Sequence, residues 1–224
     1  MRTLFFLCIY LDKRSYIGVR KAKEVCCLDS IINNNMVELC GTAAAEPVFS
    51  HKSKEREFYT LPLVICRLSG AEDRVNITVD RRMAQLCRDG ERLRVCGELR
   101  SFNNRSGTGS RLVISVFARE VCLTDEEDTN RVELTGTLCK KPIYRRTPMG
   151  REICDMMLAV NRRYGRSDYL PCIAWGIGAS EAREWDVGHK VSLAGRLQSR
   201  KYIKLEAGES VEKTAFVVSV VEFR

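Results

Sequence analysis

The chain has 224 residues, of which 45% are hydrophobic and 29% are charged, and it carries a formal net charge of +8. This composition is typical of a globular protein and excludes a collagen-like, low-complexity or mostly disordered chain. The longest apolar run, residues 4–11, is too short for a transmembrane helix. Basic residues rather than a cleavage site follow that run, so no secretory signal is predicted.

The cysteine content is high, with 11 cysteines, but the sequence contains no C-x-x-C pair. Only two histidines are present, His51 and His189, so the spacing of a zinc site is absent. Most of the cysteines lie in apolar segments. We therefore predict that they are reduced core residues of a cytoplasmic protein, and we predict no metal and no cofactor.

The chain contains an internal repeat. The segment "VELCGTAAAEPVF" from Val37 recurs, 95 residues later, as "VELTGTLCKKPIY" from Val132. Aligned without a gap, residues 36–80 and 131–175 are identical at twelve of 45 positions, and the likeness continues after a three-residue insertion in the second copy. This pattern predicts two copies of one domain.

The repeat sets the predicted domain boundaries. The first copy is predicted at 36–123 and the second at 130–224, and the acidic segment "TDEEDT" at 124–129 is predicted to be a short solvated linker. The second copy is the more basic, with 17 basic and 11 acidic residues. Residues 1–35 have no counterpart in the repeat. They are interpreted as an extension that arises from a misassigned start codon, as an unstructured arm or as a weak interfacial helix.

The predicted elements of the second copy are mostly strands. In chain order they are a strand at 131–138, a turn at 145–151, strands at 152–161 and 169–175, a helix at 178–186, and strands at 190–203 and 215–223. Gly195 lies inside a strand and indicates a bulge or a tight bend. Three strands, a short helix and two strands are the order of an OB-fold, a five-stranded Greek-key barrel. We predict an all-β chain with two tandem OB-folds, although another small barrel or sandwich is also compatible with the pattern.

The second copy resembles the bacterial single-stranded DNA-binding protein (SSB) family. The resemblance rests on "VELTGTLCKKPIYRRTPMGREICDMMLAVNRRYG", "DYLPCIAWG" and "GRLQSRKY", which occur in this order at suitable spacing. Two fused copies resemble a tandem OB-fold variant of low-GC Gram-positive bacteria. The resemblance implies a non-enzymatic protein that binds and protects single-stranded DNA in replication, recombination or repair. It also implies a cytoplasmic, nucleoid-associated homodimer with four OB units. Many family members end in an acidic tail that recruits repair proteins, and no such tail follows the last predicted strand.

The resemblance also implies a set of base-stacking aromatics: Tyr164, Tyr169, Trp175 and Tyr202. Stacking on such faces tolerates any base sequence, because every base has a π-face. Trp175 lies in the apolar run "CIAW", so a core position is also open for it. Trp185, at the end of the predicted helix, is expected to pack on the barrel.

Basic residues interleave with these aromatics in the second copy, as expected for a groove that follows a phosphate backbone. Any single arginine could be solvated surface, but together they set a positive field. The basic candidates are Arg145, Arg146, Arg151, Arg162, Arg163, Arg166, Arg196, Arg200 and Lys201.

The first copy has nearly lost this aromatic set. Ser69, Arg74 and Asp80 stand at the positions of Tyr164, Tyr169 and Trp175. The remaining DNA-binding candidates there are Phe102, Arg100 and Arg105. The first copy is therefore expected to contact phosphates or to serve in assembly, and the second copy to provide most of the base stacking.

Two other functions are considered from the sequence. An OB-fold assembly module with weak or no nucleic-acid binding is the main alternative, and the retained tyrosines argue against it. An enzyme is not predicted, because no carboxylate pair, Cys–His–Asn set or phosphate-binding loop occurs at a motif spacing. RNA is also compatible as a ligand, since stacking does not read the 2′-hydroxyl.

Overall fold

The computed structural model describes residues 34–104, 111–162, 165–206 and 209–224, without the side chains of 201–206, 209 and 211–213. The predicted ligands Arg105, Arg163 and Tyr164 lie outside the described residues, as do residues 1–33 of the predicted extension. The described residues form two successive units of the same kind, named OB1 and OB2. No helix among them is long and apolar enough to cross a membrane.

Each unit contains six strands and one short helix. OB1 comprises β1 (Asn35–Ala43), β2 (Val48–Ser53), β3 (Arg56–Cys66), β4 (Glu72–Asp80), α1 (Arg81–Ala84), β5 (Arg92–Asn103) and β6 (Leu112–Leu123). OB2 comprises β7 (Thr129–Leu138), β8 (Ile143–Arg146), β9 (Glu152–Asn161), β10 (Ser167–Trp175), α2 (Ile177–Ala182), β11 (Lys190–Glu206) and β12 (Glu209–Phe223). The first strand of each unit therefore begins one residue before the predicted domain boundary.

The strand pairing is that of an OB-fold. Within the described chain the strands form one sheet in the order β2-β3-β4-β6-β5-β1-β7-β11-β12-β10-β9-β8. Additional pairings, β1 with β3 and β7 with β9, close each unit into a barrel. The pairs β4–β6 and β10–β12 are parallel, and the other pairs are antiparallel. The predicted fold class, two tandem OB-folds, is confirmed.

Side chains alternate between the barrel interior and the outside, as the period of a strand requires. In β10, Leu170, Cys172 and Ala174 are buried at 0–1% exposure and belong to the core. The predicted irregularity at Gly195 is confirmed, because the β11–β12 register shifts between Ala194 and Gly195. A Cβ at Gly195 would lie 2.5 Å from the Ser219 carbonyl oxygen, so only glycine allows the two backbones to approach this closely.

The structure differs from the predicted elements of OB2 in two places. Helix α2 ends at Ala182 instead of 186, because Trp185 turns back onto the barrel and packs against His189 and Phe223 at 4.7 Å between ring centroids. This contact agrees with the packing expected for Trp185. Residues 143–146, partly assigned to a turn, form β8, because their backbone pairs with β9 and only 147–150 turn.

OB1 and OB2 are related by a pseudo-twofold axis. Strands β1 and β7 pair antiparallel, and Val37 lies opposite Val132, its own counterpart in the repeat. The contacts on either side of this pair therefore occur twice, as in an isologous dimer. The Asp73 carboxylate of OB1 accepts a hydrogen bond from the Ser199 backbone N–H of OB2 at 2.8 Å. Reciprocally, the Asp168 carboxylate accepts one from the Ser101 backbone N–H at 2.6 Å.

The segment between the units is only partly solvated, in contrast to the predicted linker. Asp125 and Glu127 are exposed. The Asp128 carboxylate accepts a hydrogen bond from the Cys66 backbone N–H at 2.6 Å and pairs with Arg92 at 2.8 Å. The Glu126 carbonyl accepts a hydrogen bond from Arg92 at 2.5 Å. The Asp128 side chain and the Glu126 backbone thus hold the segment against OB1, because the Arg92 guanidinium lies beside it.

The described cysteines are free thiols. Cys40, Cys87, Cys154 and Cys172 are buried, which confirms their predicted core position. Burial raises the pKa of Cys40 and of Cys87 to about 11, so both stay protonated at neutral pH. Cys66 is exposed and corrects the prediction at this position, because it ends β3 and its side chain points away from the core. No cluster of metal-binding side chains occurs in the part of the chain that the structure describes.

Candidate nucleic-acid interface

The outward side of the OB2 sheet brings several predicted ligands together. In β10, Tyr169 and Trp175 alternate with the core residues and therefore point outward. Arg145 of β8 lies opposite Ile153 of β9, which lies opposite Trp175, so the three residues form one row across the sheet. This surface, named the OB2 face, is defined by Arg145, Tyr169, Trp175, Arg196 and Arg200.

Trp175 combines a packed position with an accessible ring. Its side chain is partly buried, and its indole Nε1 donates a hydrogen bond to the Ser219 hydroxyl at 3.1 Å. The Arg200 guanidinium carbon lies 5.5 Å from the ring centroid, a cation–π arrangement. The hydrogen bond fixes the plane of the ring, and Arg200 places a positive charge beside it. An aromatic face next to a cation is suited to a base and its phosphate.

Tyr169 is half exposed, at 50%, and lies at the junction of OB1 and OB2. Its backbone N–H donates a hydrogen bond to the Ser101 hydroxyl at 2.7 Å. The preceding residue, Asp168, is fully buried and accepts a hydrogen bond from Arg162 Nε at 2.6 Å. Because the backbone is held on both sides, the Tyr169 ring projects from a fixed point.

The predicted arginines of OB2 fall into three groups, on the OB2 face, at the junction with OB1 and at the margins of OB2. Arg196 and Arg200 alternate along β11 and lie opposite Ser219 and Ala215 of β12, which places them on the OB2 face. Arg145 shares this face and pairs with Asp155 at 2.7 Å between Nε and Oδ2. Arg162 lies at the junction, where its guanidinium binds Asp168.

The remaining basic candidates of OB2 lie at its margins. Arg146 alternates to the opposite side of β8 and pairs with Glu152 at 3.1 Å. Arg151 and Arg166 are exposed, in the β8–β9 turn and in the β9–β10 connection. Lys201 and Tyr202 lie in β11 opposite Thr214 and Lys213, and their side chains lie outside the described part of the chain.

In OB1, the predicted candidates Arg100 and Phe102 both lie on β5. Phe102 is 54% exposed. Arg100 pairs with Glu98 and lies 3.7 Å from Asp168, measured between Nη1 and Oδ2. Burial, and then the nearby Arg162 guanidinium, lower the pKa of Arg100 below its ordinary value. Asp80, which stands where OB2 has Trp175, caps helix α1 by accepting the Met83 N–H at 2.9 Å.

Three rings on the outward side of OB1 were not among the predicted site residues: His51, Phe58 and Phe117. His51 stacks on Phe58 with 5.1 Å between ring centroids, and Phe58 contacts Phe117 at 5.7 Å. The repeat predicts stacking residues in OB1 only at the aromatic positions of OB2, and these three rings occupy other positions. The alternation of β3 and β6 was the signal that could have identified Phe58 and Phe117 as outward residues.

The fold and the OB2 face together define the class: a tandem OB-fold protein with aromatic rings and arginines on the outer surface of its second barrel. Residues 129–224 match the family described as "Single-strand binding protein family". The match lies in OB2, and the predicted resemblance of the second copy to bacterial SSB proteins is confirmed.

Known proteins similar to the chain agree with this assignment. The chain is 36% identical over 101 residues to Single-stranded DNA-binding protein 1 of Staphylococcus aureus (strain COL), over 42% of this chain and 60% of that protein. It is 33% identical over 101 residues to Single-stranded DNA-binding protein A of Bacillus subtilis (strain 168), over 42% of this chain and 58% of that protein. The matched region thus spans less than two thirds of these relatives.

A solved structure resembles the chain over most of its length. The crystal structure of the wild-type single-stranded DNA binding protein from Thermus aquaticus has a TM-score of 0.68 and 23% sequence identity, and the match covers 85% of this chain and 91% of that chain. At this identity the likeness concerns the fold, which in both chains extends beyond a single barrel.

Proposed function

We propose that the protein binds single-stranded DNA without sequence preference through the OB2 face. Bases stack on Tyr169 and Trp175, and phosphates contact Arg145, Arg196 and Arg200. Tyr164 and Tyr202, predicted from the sequence, extend the same stacking set. The names of the relatives from Staphylococcus aureus and Bacillus subtilis support this ligand.

The arrangement of Trp175 and Arg200 carries the proposal. A tryptophan used only for packing would be covered by apolar side chains, whereas one neighbour of this ring is a guanidinium 5.5 Å from its centroid. The ring plane is fixed by the hydrogen bond to Ser219, and the half-exposed Tyr169 lies on the same strand and the same face. Two prearranged rings beside cations reduce the ordering that a flexible strand requires for binding.

The wider role follows from this chemistry. A protein that stacks on bases and neutralises phosphates covers exposed single strands, as replication, recombination and repair require. We propose protection of single strands as the cellular function and a homodimer as the working assembly. No reaction is part of this function. RNA is expected to compete with DNA for the OB2 face where stacking alone determines affinity, because stacking does not read the 2′-hydroxyl.

Titration of a 5′-fluorescein-labelled dT oligonucleotide of about 20 nucleotides, followed by fluorescence anisotropy, tests the proposal. Trp175→Ala is expected to weaken binding by about tenfold, because stacking contributes about 1–3 kcal/mol per base. Arg200→Ala is expected to weaken binding by about threefold.

Arg183→Ala is the matched control for Arg200→Ala. The Arg183 guanidinium lies over a ring as well, 5.4 Å from the Tyr144 centroid, but Tyr144 and Arg145 alternate on β8, so this pair lies off the OB2 face. The control is expected to bind like the wild type. If the wild type fails to bind even at low salt, single-strand binding is wrong and an OB-fold assembly module is favoured.

A further inference from the structure

OB1 carries a continuous row of rings that ends in a cation. His51 of β2 stacks on Phe58 of β3 with an interplanar angle of 20°, and Phe58 contacts Phe117 of β6. The Arg100 guanidinium carbon of β5 lies 5.6 Å from the Phe117 centroid. These four residues, named the OB1 row, cross the sheet from its edge strand toward the junction with OB2.

The OB1 row lies on the same outward side of its barrel as the OB2 face does in OB2. In OB1, Phe117 lies between its strand partners Thr78 and Glu98. In OB2, the equivalent partners Ile173 and Arg196 lie on either side of Ser219. Ser219 is the residue that binds Trp175. Phe117 therefore occupies the position in OB1 that supports the tryptophan in OB2.

The two units place their rings at different positions of the same surface. Phe58 and Phe117 have Ile153 and Ser219 as counterparts in OB2. Conversely, the counterpart of Trp175 in OB1 is Asp80. The Arg100–Phe117 contact repeats the Arg200–Trp175 contact one strand away. The two units thus share the same kind of contact between a ring and a guanidinium, at positions that do not correspond in sequence. This favours a shared use of the surface over a remnant of the duplication.

Two accessible rings lie on this side of OB1: His51, a member of the OB1 row, and Phe102, which is outside the row but shares strand β5 with Arg100. Phe102 is 54% exposed and has the same outward alternation as Arg100, two residues before it. His51 is exposed in the edge strand. Phe58 and Phe117 are mostly covered and support the exposed rings. Because Arg100 is already paired with Glu98, the exposed Arg74 on β4 supplies a cation on this side.

We propose that OB1 contains a second binding surface for single-stranded DNA, on which bases stack on His51 and Phe102. This inference rests on the proposed function of OB2 and extends it: one chain binds a long strand with both units. The first unit is then a binding domain with rings at other positions, a role that goes beyond the phosphate contacts or assembly expected from the sequence.

Two oligonucleotide lengths separate the two surfaces. An OB-fold covers about 4–16 nucleotides, so dT of about 8 nucleotides occupies one unit and dT of about 35 nucleotides reaches both. The variant His51→Ala/Phe102→Ala is expected to bind the short oligonucleotide like the wild type and to lose about tenfold in affinity for the long one. Tyr169→Ala/Trp175→Ala is expected to weaken the binding of both.

Phe49→Ala is the matched control, because Phe49 lies on the same edge strand and is 55% exposed, but contacts Tyr59 on the other side of β3. It is expected to bind both lengths like the wild type. All variants are checked for unchanged thermal unfolding. If His51→Ala/Phe102→Ala binds the long oligonucleotide as tightly as the wild type and the control do, the proposal of a second surface is wrong. Single-strand binding by OB2 is then unaffected. If the wild type binds neither length, both proposals fail.

Discussion

At the scale of single residues, the junction between OB1 and OB2 is built around a buried charge. Asp168 is fully buried and accepts hydrogen bonds from Arg162 and from the Ser101 backbone, and Arg100 lies within 3.7 Å. A buried carboxylate is tolerated only when cations and donors surround it. The same carboxylate precedes Tyr169, so the residue that joins the units also fixes a proposed stacking ring.

Asp168→Ala is therefore expected to destabilise the protein by about 3–5 kcal/mol, because the two guanidiniums and the Ser101 N–H lose their shared partner. Urea unfolding followed by circular dichroism measures the free energy of unfolding. Asp125→Ala removes an exposed acid from the segment between the units and is expected to change this free energy by less than about 0.5 kcal/mol. Equal effects of the two variants would contradict a structural role for the buried carboxylate.

The site was predictable from the sequence only in part, and Arg162 shows why. Its place among arginines and tyrosines suggested a phosphate ligand, yet its guanidinium binds an aspartate only six residues further along the chain. Its part in DNA binding stays a prediction. Trp175 shows the opposite case: the sequence left a core position open for it, yet it points outward as a partly buried member of the OB2 face. Its part in DNA binding also stays a prediction.

At the scale of elements, the alternation of apolar and polar residues and the turn residues between segments predicted most strands of OB2. Strands with one buried side show this alternation clearly. The pattern missed β8, in which only Tyr144 is partly buried, so the short strand shows no clear alternation of buried and exposed residues. It extended α2 by four residues, because Trp185 and its neighbours leave the helix for a tertiary contact with Phe223 that local sequence does not reveal. The connecting segment is likewise shaped by Arg92 of a distant strand.

Asp128 in this segment gives a prediction with a defined pH dependence. Burial raises the pKa of Asp128, but hydrogen bonds from the Cys66 N–H and Arg92 outweigh burial, and the net pKa is lowered. A carboxylate with a lowered folded pKa stabilises the fold above its unfolded pKa of about 3.9, and this contribution is lost as the pH falls through the folded value. Because both partners are partly solvated, we expect Asp128→Asn to lose about 1 kcal/mol at pH 7.

Urea unfolding of Asp128→Asn and the wild type at pH 7 and near pH 3 checks this expectation. The difference between the two proteins should shrink at the lower pH, where the wild-type carboxylate becomes protonated. Asp125→Asn, in the same segment and exposed, should show no difference at either pH. A difference for Asp128→Asn that persists unchanged at low pH would indicate that its charge is irrelevant.

At the scale of the whole molecule, the internal repeat predicted two similar domains but not their arrangement. The pseudo-twofold axis depends on the edges of β1 and β7, and sequence likeness between two domains does not state which edges meet. The repeat also predicts stacking residues only at the aromatic positions of OB2, and the three rings of the OB1 row lie elsewhere. An alignment of the two copies does not reveal such rings, because it compares only positions that correspond, and these rings lie on neighbouring strands.

The whole-molecule charge distribution yields the last prediction, the salt dependence of binding. Each phosphate neutralised on a single strand contributes about −0.7 to the slope of log K against log salt concentration. The triple variant Arg145→Ala/Arg196→Ala/Arg200→Ala removes three cations from the OB2 face. If all three contact phosphates, its slope should be shallower than that of the wild type by about 2.

A control with the same change of net charge separates local contacts from the field of the whole molecule. Arg88, Arg183 and Arg224 are exposed and lie outside the OB2 face. The triple variant Arg88→Ala/Arg183→Ala/Arg224→Ala should weaken binding slightly at low salt and keep the wild-type slope, because long-range attraction is screened within about 10 Å at 0.1 M salt. Anisotropy titrations at four salt concentrations give the slopes. Equal slopes for the two triple variants would show that overall charge rather than the OB2 face determines phosphate binding.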